Sequence, residues 1–76
     1  MSAQATLRPV VTGDEEEARL WVSAGHRVVL VVAPDGAVVQ PIPARMAVMV
    51  GDLSDPVVRA AAEEMAAELY AHTIRP

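Results

Sequence analysis

One continuous apolar run, Val28–Ala33, constrains the fold of this chain more than any other part of its sequence. Four of its six residues are valine, a β-branched residue that favours strands. Neighbouring side chains of a strand point to opposite faces, so Val28 and Leu30 face one way while Val29 and Val31 face the other. Both faces of this strand therefore have to be covered by other parts of the structure.

A turn signal, Pro34-Asp35-Gly36, follows the run directly. Proline suits the first corner of a type I turn, and glycine can adopt the left-handed conformation. Residues 37–40 then resume the strand pattern. We therefore predict a β-hairpin in which residues 28–33 pair antiparallel with residues 37–40.

A short helix is predicted before this hairpin, over residues 14–24. The four residues Thr12-Gly13-Asp14-Glu15 have the spacing of a capping box, with the Thr12 hydroxyl as the cap. Gly25 is the predicted end of the helix. Trp21 shares the apolar face of this helix, which predicts that its indole is buried as the main aromatic anchor of the core.

A long C-terminal helix opens at Asp55-Pro56, because Asp55 can cap it and proline is tolerated in a first turn. Residues 57–73 contain no helix breaker. An apolar seam recurs along this helix at the spacing of a short coiled coil. The seam consists of Val58, Ala62, Met65, Leu69 and His72.

Two further segments are strand candidates. Residues 7–11 predict a short edge strand, since Pro9 lacks a backbone donor. Residues 44–50 are compatible with a helix or with a third strand, and we slightly favour the strand. The sequence thus predicts one α+β domain over residues 1–76, with residues 1–6 frayed. Its small antiparallel sheet has a central β-hairpin, an edge strand and a possible third strand, and the short and long helices pack on it.

The size of the chain leads to a prediction of self-association. A domain of 76 residues buries only about 60% of its unfolded surface. Two helices, one of them short, are expected to shield one face of the hairpin and to leave the other open. We therefore predict a homodimer. The predicted interface residues are Val58, Ala62, Met65, Leu69, Val29 and Val31.

Composition and charge exclude several classes of protein. The net charge is −4, the six basic residues are all arginine, and they are spread along the chain, which argues against a nucleic-acid partner. No apolar stretch is long enough to span a membrane, and there is no signal peptide, so a cytoplasmic location is expected. The absence of cysteine excludes disulfides and thiolate metal sites.

Few residues suggest chemistry. Glu64, Glu68 and His72 stand four residues apart and could share a metal ion, but a solvated helix face has the same spacing, and we prefer that interpretation. His26 lacks a nucleophile and an orienting partner in a known motif, so we interpret it as a loop residue. We predict no catalytic residue, no bound metal and no cofactor.

These observations favour a small non-enzymatic module, bacterial or phage in origin, that dimerises and binds another protein. Two alternatives stay open. One is a nucleic-acid-binding regulator in which residues 44–73 form a helix–turn–helix. The other is a small metal-dependent enzyme or ligand-binding protein that uses the histidines and acids.

Overall fold

The computed structural model describes residues 9–34 and 44–74, and for residues 72–74 it describes the backbone alone. The elements of the described residues are, in chain order, β1 (Val10–Thr12), α1 (Glu15–Ser23), β2 (Val28–Val32), β3 (Met46–Val50) and α2 (Pro56–Ile74). The predicted frayed segment 1–6 and the predicted strand 37–40 lie outside the described residues.

The three strands form one sheet in the order β1-β2-β3, and both pairings are parallel. Val28 stands opposite Val10 of β1 on one side and opposite Met46 of β3 on the other. The predicted antiparallel sheet and hairpin are therefore wrong. The strand that follows β2 in the sheet is β3, reached through residues 33–45, and a parallel crossover needs about a dozen residues.

The two faces of the sheet are covered by different helices. Ala18 of α1 packs with Val28 and Leu30, whereas Ala62 of α2 packs with Val29 and Val31 on the opposite face. Val28, Val29, Leu30 and Val31 are each at most 3% exposed. The expectation that two helices would leave one face of this strand open is wrong, because each helix covers one face.

The short helix α1 confirms the predicted segment but not its predicted cap. The Asp14 carboxylate accepts hydrogen bonds from the backbone N–H groups of Glu16 and Glu17, at 2.9 and 3.3 Å. The Thr12 hydroxyl accepts from the Asp14 N–H and donates to Glu17, so threonine supports the cap from two residues earlier. Gly25 follows the helix with φ of +94°, a left-handed conformation that favours glycine, which confirms the predicted end.

The long helix α2 begins where the sequence predicts. The Asp55 carboxylate accepts from the Val57 N–H at 2.9 Å, which caps the first turn. Ala62 and Ala66 are buried against the sheet, and their small side chains let the helix axis approach the strands closely. At its start, the helix presses Val58 against Gly51, the residue that directly follows β3.

The ambiguous segment 44–50 contains the strand β3, which confirms the slightly favoured prediction. A helix–turn–helix over residues 44–73 requires a helix at this position. Since residues 46–50 are extended and paired with β2, that motif is not formed.

Candidate functional site

The strand β3 lies at the edge of the sheet and is apolar along its whole length. Its sequence is Met-Ala-Val-Met-Val, without a charged residue or a proline. Natural edge strands are normally protected by charges, prolines or bulges, because their free backbone groups can pair with another chain. Among residues 9–34 and 44–74, no strand pairs with the outer side of β3.

Two valines of β3 are exposed on the face of the sheet that carries α1. Met46, Val48 and Val50 point to this face, since alternate residues of a strand share a side. The helix α1 packs on β1 and β2, and not along β3. Of these three residues, Met46 alone is buried in the cluster that contains Ala18 of α1. Val48 is 38% exposed and Val50 is 64% exposed.

The backbone N–H and C=O groups of Met46, Val48 and Val50 point outward from the edge of the sheet. The Gly51 N–H donates to the Val32 carbonyl at 2.7 Å, so Gly51 bonds inward to β2. Backbone groups of a strand alternate in direction, and Met46, Val48 and Val50 therefore direct their N–H and C=O groups outward. We call these outward backbone groups the β3 edge.

Opposite charges flank the β3 edge. Arg45 precedes the strand and Asp52 follows it, and both are exposed. The Asp52 carboxylate accepts a hydrogen bond from the Ser54 backbone N–H at 3.0 Å. This bond stabilises the ionised form and lowers the pKa of Asp52 below its usual 3.8, so the residue is negative at neutral pH.

The carboxyl ends of the strands, where parallel sheets often bind ligands, are lined by acids in this chain. Both helices start at this end, and Asp14 and Asp55 occupy their first N–H groups. Glu15, Glu16 and Glu17 add further negative charge to the first turn of α1. The two helix N-termini are therefore already satisfied by carboxylates, which disfavours an anionic ligand.

Trp21 is not the buried anchor that the sequence predicts. It is 36% exposed, while Ala18 and Val22 make the contacts of α1 with the sheet. The Trp21 indole N–H donates to Glu17 at 3.4 Å, and its ring stands edge-on to His26 with centroids 4.8 Å apart. His26 lies in the loop after α1, as predicted.

An open depression of about 640 Å³ runs along the outer side of α1. Its described lining residues are Asp14, Glu16, Glu17, Arg19, Leu20 and Ser23. Most of these side chains are polar and exposed, and Glu15 already pairs with Arg19 at 3.0 Å. The lining thus lacks the convergent buried polar groups that orient a small ligand in a binding pocket.

The weak candidate metal ligands Glu64, Glu68 and His72 are only partly covered by the described residues. Glu64 and Glu68 are exposed on α2, and the side chain of His72 lies outside the described part of the chain. In that part, no group of three histidine, cysteine, aspartate or glutamate side chains is close enough to hold a metal ion.

The predicted interface residues contact one another inside a single chain. Val29, Val31 and Ala62 are buried between the sheet and α2. Val58, Met65 and Leu69 are partly buried and pack against the same cluster. Their part in an interface between copies therefore stays a prediction. Among the described residues, the exposed large apolar side chains are Leu20, Trp21, Val48, Val50 and Val57, and Val48 and Val50 form the exposed apolar surface of the sheet. The absence of charge and proline from residues 46–50 was the sequence signal for this surface.

Comparisons with protein-family models, with curated proteins and with solved structures found no match to this chain. Within the two described segments, neither helix is both long enough and apolar enough to cross a membrane.

Proposed function

We propose that this chain is a small non-enzymatic interaction module that acts as a homodimer and binds another protein. The observation that carries the proposal is the exposed, uncharged edge strand β3. Its outward backbone groups pair with no strand of residues 9–34 and 44–74, and two of its valines, Val48 and Val50, are exposed to solvent. Such a surface is favourable to cover with protein and costly to leave in water.

The location of the exposed residues supports self-association through this surface. Val48 and Val50 lie on one strand and on one face, so one contact can cover both side chains together with the backbone beside them. Isolated exposed apolar residues are common on protein surfaces and require no partner. A continuous apolar strand at a sheet edge is different, because it offers hydrogen bonds and apolar area at the same place.

Sedimentation velocity of the wild-type chain across a micromolar concentration series tests the proposal. We expect a dimer that dissociates on dilution, and we expect Val50→Lys to shift the equilibrium toward the monomer. The matched control is Val57→Lys, because Val57 is 75% exposed on the first turn of α2 and does not belong to β3. A wild-type chain that stays monomeric at the highest concentration would refute the homodimer.

A further inference from the structure

We infer that Arg27 and Arg45 together form a binding site for an acidic segment of a partner protein, with the two guanidinium groups holding its carboxylates. This inference rests on the proposed function only in that the chain binds another protein, and it names the chemistry of that partner. It does not require the homodimer.

The register of the sheet places the two arginines side by side. Arg27 directly precedes β2, and Arg45 directly precedes β3. These strands are parallel and Val28 stands opposite Met46, so the same register, continued by one residue, sets Arg27 opposite Arg45. Neighbouring strands lie about 5 Å apart, so the two positive charges start from adjacent positions at the amino end of the sheet.

Neither of these arginines forms an ion pair within residues 9–34 and 44–74. The other two arginines of that part of the chain, Arg19 and Arg59, each pair with a glutamate four residues away on the same helix, at 3.0 and 3.4 Å. Helix spacing therefore supplies a partner to Arg19 and Arg59. Strand pairing supplies Arg27 and Arg45 with each other instead.

The one acidic side chain outside the described residues starts from the opposite end of the strand. All aspartates and glutamates of the chain except Asp35 are described. Pro34, the residue to which Asp35 is bonded, lies beyond the carboxyl end of β2, whereas Arg27 precedes its amino end. The five residues of β2 separate these ends by about 17 Å.

The charge of the sheet is divided between its two ends. Asp14 and Asp55 cap the helices at the carboxyl ends of the strands, and Asp52 follows β3 there. Like charges side by side on neighbouring strands repel each other, and an anion bound between them removes that repulsion. Even a helix carboxyl terminus carries only about half a negative charge, too little to balance two arginines.

A short acidic segment fits this pair better than a nucleic acid does. The planar guanidinium group binds a carboxylate through two parallel hydrogen bonds. Alternate residues of an extended peptide project to one side about 7 Å apart, so two acids at that spacing can each meet one arginine. Nucleic acid offers oxyanions too, but its charge continues along the backbone and would meet the acids of a chain whose net charge is −4.

Fluorescence anisotropy with a labelled, end-capped hexaglutamate peptide tests the site at low ionic strength, where surface charges are little screened. We expect the wild type to bind the peptide, and we expect Arg27→Gln and Arg45→Gln each to weaken binding by about fivefold or more. The matched control is Arg59→Gln, which removes the same charge from an exposed position on α2 and should leave the affinity nearly unchanged.

Circular dichroism of each variant separates lost binding from lost folding. Arg27 is half-buried and Arg45 is exposed, so Arg45→Gln is the variant expected to keep the fold intact. A folded Arg45→Gln chain that binds hexaglutamate as tightly as the wild type would overturn the site, even if Arg27→Gln unfolds.

The remaining outcomes distinguish this inference from its competitors. If the wild type does not bind hexaglutamate, or if Arg59→Gln weakens binding as much as Arg45→Gln, the arginine site is overturned. If a labelled hexathymidylate binds more tightly than hexaglutamate through the same arginines, the acidic protein segment is overturned in favour of a nucleic acid. Sedimentation decides the homodimer separately: a monomer that binds hexaglutamate through both arginines supports the site while the homodimer fails, and a dimer that does not bind overturns the site alone.

Discussion

A methyl group added at Gly51 would collide with Val58, and the stability of the Gly51→Ala variant measures that contact. An ideal Cβ at position 51 lies 2.6 Å from Val58 Cγ1 and 3.1 Å from Val58 Cγ2. Ordinary contacts between such carbons begin near 3.5 Å. Valine in a helix has one strongly preferred rotamer, so the side chain cannot easily turn away. The start of α2 would have to move from β3.

The expected cost is that of overpacking, about 1–3 kcal/mol. Gly51 lies outside the left-handed region, so its backbone accommodates alanine. Without the collision, replacing this glycine would stabilise the chain by about 0.4–1 kcal/mol through the unfolded state. The sign of the effect therefore depends on Val58, and removing the valine side chain should reverse it.

Urea unfolding of Gly51→Ala, Val58→Ala and the double variant, at one fixed protein concentration, provides the double-mutant cycle. We expect Gly51→Ala to destabilise the wild-type background, to be neutral or stabilising in the Val58→Ala background, and to give a coupling energy of about 1.5–3 kcal/mol. In a domain of this size each kcal/mol shifts the melting temperature by roughly 4–8 °C. Equal effects of Gly51→Ala in the two backgrounds would refute the proposed contact.

Two further predictions concern single residues. Trp21→Ala should cost about 1–3 kcal/mol in urea unfolding, because the variant loses the Glu17 hydrogen bond, the edge contact with His26 and the packing of a partly buried indole. A loss above about 4 kcal/mol would indicate a fully buried indole. The Asp52 carboxyl carbon, followed by NMR, should titrate with a midpoint below 3.8, because the Ser54 N–H stabilises its ionised form. This hydrogen bond supports the fold above pH 3.8, and its contribution is lost as the pH falls through the lowered pKa of Asp52. A titration midpoint at or above 3.8 would contradict the predicted hydrogen bond.

The helices were predictable because their signals are local. Asp55-Pro56 and the breaker-free residues 57–73 determine where α2 begins and how far it extends, and Gly25 determines where α1 ends. Even here one detail depended on geometry, since Asp14 rather than Thr12 caps α1. Both residues can cap a helix, and only the path of the chain after β1 decides which carboxylate or hydroxyl meets the free N–H groups.

The direction of strand pairing was not predictable from local signals. Pro34-Asp35-Gly36 is typical of a hairpin turn, and this signal favoured antiparallel pairing. The apolar run Val28–Ala33 contained the contrary information, because strands buried on both faces are characteristic of parallel sheets. The same two-faced pattern fits a second copy or two helices on opposite faces, and only the tertiary structure distinguishes them.

The sequence by itself thus determined where both helices lie and that residues 28–32 form a strand with two apolar faces, both of which need cover. The tertiary structure decided what covers each face. It places α1 over Val28 and Leu30, and α2 over Val29 and Val31, and leaves Val48 and Val50 exposed. The reason is physical: burial of apolar surface is non-directional, so a sequence pattern states that a side chain must be covered but not by which partner.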